Sequence, residues 1–562
     1  CSVVLTPSVP SGTSLIVDQN DPSESAREQG FPTSIAGATA SIVSSVVANY
    51  PVDVDRLLVV TFTNAAASEM RERIGDAIEA ALEREPENHH LQRQQSLIHN
   101  AQITTIDSFC LYIVRNYFHT IDLEPGFRIA DEGELALLKE QVLDEVLESF
   151  YEKSNEDFTS FMEAFATAKS DRNVRSMILE LFTTAQSNPW QSEWLDKLDE
   201  DYKKACESPD DSVWMQLALS DYRNSMEDVL RELQKAWNLT QEFDGPQMYV
   251  GAIKNDLELV ETLCTKDTYA DIVQALTELP AYARLAAARG YDGSLQKQAQ
   301  VKAAREQMKD TIQKLREKIF FQSQSDLKAS LCRQQPMVHV LLELVRAFTE
   351  AYDKAKRKKS LVDFSDIEHF ALDILVNAKT KEPTPVAEEF RNFFEEVMID
   401  EYQDSNYLQE AILSAVSKVQ SGEPNMFMVG DVKQSIYRFR LARPELFMEK
   451  YETYTKEDSP YQKIELHKNF RSREGVLAAV NDIFYKIMGK DLGRVRYDED
   501  AALYPGADYP ALKGEQESSE VIVVEQDSST ERSILEAGTI GRKIRQLKEN
   551  GWITDKKSGE LR

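Results

Sequence analysis

The sequence predicts an α/β fold, a parallel sheet interrupted by a long helical insertion. Three observations point to it. Val397-Met398-Ile399 is an apolar run ending in the acidic pair Asp400-Glu401. Met426 to Val429 is a second such run, ending in Gly430-Asp431 and then Lys433-Gln434. Short runs that are apolar throughout read as strands buried on both faces of a parallel sheet. From about 131 to 350, segments such as LALLKEQVLDEVLESFYEKS carry apolar residues at i, i+3, i+4 and i+7, the spacing of one helix face. Ligands of such sheets sit beyond the carboxyl ends of the strands, which makes the two acidic ends the candidate site. There the first acid can hold Mg²⁺, and the second can orient or deprotonate an attacking water.

Composition bounds the reading. The 562 residues suffice for several domains, and 42% hydrophobic with 28% charged residues is ordinary for a water-soluble chain. No apolar run reaches the length of a membrane span, and the segment 2–9 is too short and lacks a basic flank for a signal peptide. The expected location is a reducing cytosol, by the cysteine usage. Cys1, Cys110, Cys206, Cys264 and Cys332 are scattered without a CxxC pair. They read as free thiols, not as a disulfide, zinc or iron–sulfur frame. A net charge of −30 argues against broad non-specific DNA binding, though it leaves room for a local basic channel. The chain begins with Cys1 and not Met, and is expected to be a fragment.

In chain order, residues 1–50 are rich in Ser, Val, Ala and Pro and show no periodicity. From Pro51 the pattern sharpens. Leu57-Leu58-Val59-Val60 reads as a buried strand, and Thr63 or Asn64 can cap a helix whose apolar face includes Ala67, Met70 and Ile74. ITTIDSFC (103–110) reads as a strand entering a helix, with Phe109 and Cys110 in the core. Pro125-Gly126 is a turn and a candidate boundary. The Met and aromatic stripes of 131–350 read as core. The basic run Lys354–Lys359 is either a solvated helix end or a contact to DNA phosphate. In LVDFSDIEHFALDIL (361–375), Asp363 or Ser365 caps a helix.

DEYQDSN (400–406) followed by GDVKQSIYRFR (430–440) resembles motifs II and III of superfamily 1 DNA helicases of the UvrD/RecB type. The surrounding wording is most similar to the AddA-type family of helicase-nuclease subunits. TFTNAAASEMRERI (61–74) resembles motif Ia, ITTIDSFC motif Ib, and YQKIELHKNFRSREGVLAAVNDIF (461–484) motif IV. The resemblance covers about 51–562. It implies a RecA-like P-loop NTPase domain in two parts, 51–130 and 351–455, split by a helical insertion at 131–350. The start of a second RecA-like domain would occupy 456–562. It also implies an ATP-dependent 3′-to-5′ DNA helicase, one component of a helicase-nuclease complex in double-strand break repair, with an AddB-type protein as its heterodimer partner.

By that resemblance ATP and Mg²⁺ would be bound through Asp400, Glu401, Gln434 and Arg471. Asp400 would hold Mg²⁺, Glu401 activate water, Gln434 sense the γ-phosphate, and Arg471 reach it from across a cleft. Phe62 would stack on a base of single-stranded DNA, with Thr63, Asn64 and Ser108 near its backbone. Tyr437, Phe439 and Arg440 would couple γ-phosphate sensing to DNA, Phe439 by stacking.

Two features depart from the family pattern. No GxxxxGK[ST] loop precedes Leu57: the nearest segment is Ala36 to Ser41, and the first lysine of the chain is Lys139. A reading-frame interruption is the expected cause, and true loss of the site is the alternative. Motifs V and VI are not found before Arg562, and no nuclease domain follows. An ATPase-defective DNA-binding or assembly module is therefore a second reading, and an RNA helicase a third.

Overall fold

The structure is a computed structural model, and it describes residues 2–6, 52–153, 155–166, 170–457, 459–489, 496–507, 509, 519–526 and 531–550. The expected position of the phosphate loop, including the segment 36–41, lies outside the described residues. The chain divides into two compact units. One comprises Cys1–Ala130, Gln186–Pro189 and Ser360–Arg562, the other Asp131–Ala185 and Trp190–Lys359.

The first unit is built on a six-stranded sheet. In chain order its strands are Ser2–Thr6 (β1), Leu57–Thr61 (β2), Gln102–Thr105 (β3), Glu396–Ile399 (β4), Met426–Gly430 (β5) and Gln462–Leu466 (β6). Their spatial order is β3-β2-β4-β5-β1-β6. The first four in that order are parallel. β2 and β5 are buried along their whole length, as strands covered on both faces must be. The register, with Thr61 opposite Thr105, Val60 opposite Ile399 and Ile399 opposite Met428, brings four carboxyl ends to one edge.

β1 departs from the sequence reading, which found no element in 1–50. It lies between β5 and β6 and runs antiparallel to both. Its five residues are too few for a period-2 signal to stand out, and pairing on both sides is what holds them. The run Val521–Val524, within the 456–562 span expected to hold the start of a second RecA-like domain, forms no strand, and Val521 and Val523 are exposed.

Helix Asn64–Arg84 follows β2. Thr63, not Asn64, caps it, its hydroxyl oxygen accepting from the Ala66 N–H at 3.2 Å. Its buried face includes Ala67, and Met70, Ile74 and Ile78 on it pack with Leu57, Val59, Ile103, Met398, Phe427 and Val429 into one core. Helix Ile106–Tyr117 buries Phe109 and Cys110 fully. The Phe109 ring meets Phe390 and Phe394 edge-on, at 5.9 and 6.1 Å between centroids. Asp363 starts helix Phe364–Leu375 with a capping box closed by Asp366. Within that helix, Glu368 is buried and accepts from Gln409 Nε2 at 2.8 Å. Burial, and then the charge of Asp107, push its carboxyl up to about 8.

The second unit is helical in its described residues, ending in the long helix Gln324–Lys358. The Met and aromatic stripe is core: Met215, Tyr222, Met226 and Leu233 pack with Tyr269, Met308 and Phe320. One ion pair is sealed within this unit. Arg305 Nε donates to Asp256 Oδ2 at 2.5 Å, with the two side chains 4% and 2% exposed. A second guanidinium nitrogen reaches the Ala283 carbonyl.

Removing one member of a sealed pair strands the other charge, whereas replacing both by apolar groups does not. Arg305→Ala is therefore expected to cost about 3–5 kcal/mol in a urea titration. Arg305→Met with Asp256→Leu should recover most of that loss, and equal losses in single and double variants would contradict it. Glu368 gives a pH test. An acid whose folded pKa is raised contributes stability below its unfolded value of 4.5, and that contribution is lost as pH rises through about 8. Glu368→Gln should thus flatten the fall in melting temperature between pH 6 and pH 9. Parallel falls in both proteins would show that Glu368 is not the titrating group.

Candidate nucleotide and DNA site

Asp400 and Glu401 leave the end of β4. Asp400 is tied to the neighbouring strand by its own N–H, which donates to the Val60 carbonyl at 2.9 Å. Glu401 takes φ 55° and ψ 41°, the left-handed region, where a residue with a side chain is strained by about 1–3 kcal/mol. The strain is held from both sides. The Asp404 N–H donates to the Glu401 carbonyl at 2.9 Å, and Gln403 Nε2 donates to Glu401 Oε2 at 2.7 Å. The turn points the Glu401 carboxylate outward, half-buried, while Asp400 stays 4% exposed.

Gln403 reaches further. Its Oε1 accepts from the Asp431 N–H at 2.9 Å, joining the end of β4 to the end of β5. Its Nε2 also lies 3.4 Å from Asp404 Oδ2. The bridge requires glycine at 430. A Cβ there would stand 2.6 Å from Gln403 Oε1 and 2.9 Å from the Phe447 ring. Beyond Gly430, Asp431 gathers the next turn. Lys433 Nζ pairs with it at 2.7 Å, both side chains being nearly sealed, and Gln434 Nε2 donates to it at 2.7 Å.

Burial and the nearby Glu401 charge push Asp400 up to about 7 and Asp404 up to about 6. Burial raises Asp431 as well, and it draws Lys433 down to about 8. Asp400 Oδ1 and Asp404 Oδ1 are buried with no hydrogen-bond partner. Such orphaned, charge-crowded oxygens fit a hard divalent cation, which takes oxygen ligands and relieves the repulsion. Among the described residues no group of three or more His, Cys, Asp or Glu could form a complete metal cage. Mg²⁺ is usually held by one or two carboxylates together with water and phosphate oxygens.

A second constellation stands on the same edge. Phe62, just past β2, and Tyr437, past β5, bring their ring centroids to 4.7 Å, and Tyr437 lies 5.9 Å from Phe439. Phe439 is 76% exposed and Ile436 69%, so neither is core. Arg440 closes the short turn Arg438–Arg440. Asn64 is exposed in the first turn of its helix, next to the capping Thr63. Ser108 is exposed in the first turn of its own helix, where its Oγ accepts from Thr105 Oγ1 at 2.9 Å.

The structure thus brings together Asp400, Glu401 and Gln434 on one side, and Phe62, Tyr437 and Phe439 on the other. Arg471 is exposed in the turn after β6, two strands away from β5, where Asn469 Oδ1 accepts from its N–H at 3.0 Å. Sequence reasoning missed Gln403, Asp404 and the Asp431–Lys433 pair. The signal was present: polar residues two and three positions past Glu401, and a Gly-Asp closing a buried strand.

Over 517 residues the chain is 44% identical to an ATP-dependent helicase/nuclease subunit of Lachnoclostridium phytofermentans, covering 89% of this chain and 37% of that one. It is 38% identical over 550 residues to the protein of the same name from Bacillus cytotoxicus, covering 94% and 44%. For that of Bacillus cereus the figures are 39% over 548 residues, covering 94% and 44%. The chain spans less than half the length of these relatives. Residues 37–455 match the family described as the UvrD/REP helicase N-terminal domain, a match that opens upstream of Pro51, where the sequence resemblance became sharp. That span is most of the chain and holds both constellations, and the chain belongs to the UvrD/REP helicase N-terminal domain family.

Proposed function

We propose that the chain is the motor portion of an ATP-dependent DNA helicase, itself one component of a helicase-nuclease that processes double-strand breaks for recombination. The observation that carries this reading is the short segment from Asp431 to Phe439. It begins at the carboxylate of Asp431, which holds Gln434, and ends in Tyr437, whose ring meets Phe62, and the exposed Phe439 beside it. A change at Gln434 can therefore be passed to the rings within five residues. The 3′-to-5′ polarity, the cytoplasmic setting and an AddB-type partner belong to the same proposal. A partner subunit is supported by the relatives' name, which describes one subunit of an ATP-dependent helicase/nuclease. No helix among the described residues is long and apolar enough to cross a membrane.

Bound Mg²⁺ would neutralise charge on the transferring phosphoryl group. Asp400, with Asp404 behind it, would hold that ion. Glu401, turned outward by its left-handed backbone, would orient a water and take its proton. Gln434 would leave Asp431 to meet the γ-phosphate, and Arg471 would contribute a second positive contact. Phe62, Tyr437 and Phe439 would stack on bases, with Thr63, Asn64, Ser108 and Arg440 near the DNA backbone.

A second reading rests on the sequence alone. The chain carries no GxxxxGK[ST] segment, so as written it would bind DNA without turning over ATP. The purified chain is expected to show little or no DNA-stimulated ATP hydrolysis, while a longer version carrying both such a loop ahead of Leu57 and motifs V and VI should hydrolyse ATP. In that restored version Glu401→Gln should abolish turnover and leave nucleotide binding within a few-fold, because shape is kept and the base is lost. Equal rates in the variant and its parent would remove Glu401 from the chemistry.

Phe439→Ala should weaken single-stranded DNA binding by about 1–3 kcal/mol, the loss of one base stack. Because the ring is exposed, its melting temperature should stay unchanged. Unchanged affinity in a fluorescence titration would take Phe439 out of the DNA path.

A further inference from the structure

The basic run at the end of helix Gln324–Lys358 takes no part in the site above. Its third member, Lys356, is 2% exposed, with its ammonium 4.3 Å above the Tyr352 ring and 3.5 Å from Asp353. That anchor fixes the last turn and leaves Lys354, Arg357, Lys358 and Lys359 exposed. Among the described residues none of these four is in an ion pair. Elsewhere in the same unit, cations such as Arg175, Lys203, Lys297, Lys309 and Arg346 are each paired with a carboxylate. In a chain of 95 acids and 65 lysines and arginines, a cluster of unpaired cations is a local reversal of sign. Favourable interaction with the helix dipole accounts for one or two cations in a last turn, not for this run.

We infer that Lys354, Arg357, Lys358 and Lys359 form a contact for the phosphate backbone of DNA on the helical unit. The inference rests on the reading of the chain as a DNA motor. Lys354 and Lys358 stand one helical turn apart, about 6 Å along the axis. That is about two phosphate steps of a strand, each about 3.4 Å along the duplex axis. The long side chains supply the remaining reach, and Arg357 can grip a phosphate with two N–H groups. No base edge is read by such a contact, so it adds affinity without sequence preference.

The test is DNA binding by the whole 562-residue chain, parent against Lys354→Gln/Arg357→Gln/Lys358→Gln, titrated with labelled duplex and single-stranded oligonucleotides at several salt concentrations. The expected result is at least tenfold weaker binding at low salt. The slope of log affinity against log salt should fall by about 2–3, since each lost phosphate contact removes about 0.7–0.9. The substituted side chains are exposed, so the melting temperature should not move. Equal affinity and equal slope in the two proteins would overturn the contact while leaving the DNA reading intact. Failure of the parent to bind either oligonucleotide would overturn both. A variant that loses heparin binding and keeps DNA binding would assign the patch to another polyanion, and would overturn the contact too.

Discussion

One side-chain amide holds the site together. Gln403 joins the carboxylate of Glu401 to the backbone N–H of Asp431, so the ends of two parallel strands cannot move independently. The other contacts at the two strand ends hang from that bridge. The strained backbone at Glu401 persists because Gln403 and the Asp404 N–H hold it, and Gly430 is bare because the amide occupies the space of a Cβ. Asp431, fixed in turn, collects Lys433 and Gln434. An amide suits this post because it donates on one side and accepts on the other, which neither a carboxylate nor an ammonium can do.

A second set of bonds braces the same strands from behind. Tyr402 is fully buried and donates to Glu410 at 2.7 Å, and Lys450 pairs with the same carboxylate at 2.7 Å. The helix following the first acidic segment is thereby fastened to the helix following the second. On the turn beyond Asp431, Ile436 and Phe439 stay exposed.

Much of this was legible in the sequence, for definite reasons. Val397-Met398-Ile399 and Met426 to Val429 are apolar throughout, and only a doubly covered strand uses such runs, so the sheet could be read without its partners. The stripe Met215, Tyr222, Met226, Leu233 repeats at helical spacing and proved to be core. Gln403 could not be read in its role, because its partners Glu401 and Asp431 are brought together only by strand pairing, a non-local fact. Nor could β1: its hydrogen bonds come from β5 and β6, more than 400 positions away. The near-sealing of Lys433 against Asp431 follows from the fold of a turn that has no periodic signature.

The pairing of β2 with β4 has a consequence for how the chain comes into being. Leu57 lies opposite Glu396, so a strand made early waits for one made some 340 residues later. At a synthesis rate of about 5–20 residues per second that delay is on the order of 20–70 seconds. The helical unit in between is built from neighbours in sequence and can form as it emerges, since local contacts close quickly. The fully apolar Leu57–Val60 meanwhile has only β3 beside it, and its other edge stays open. An open apolar edge is a template for pairing with other chains. The arrangement that makes one continuous site from distant segments thus places the hazard of misassembly in the interval before the second acidic strand is made.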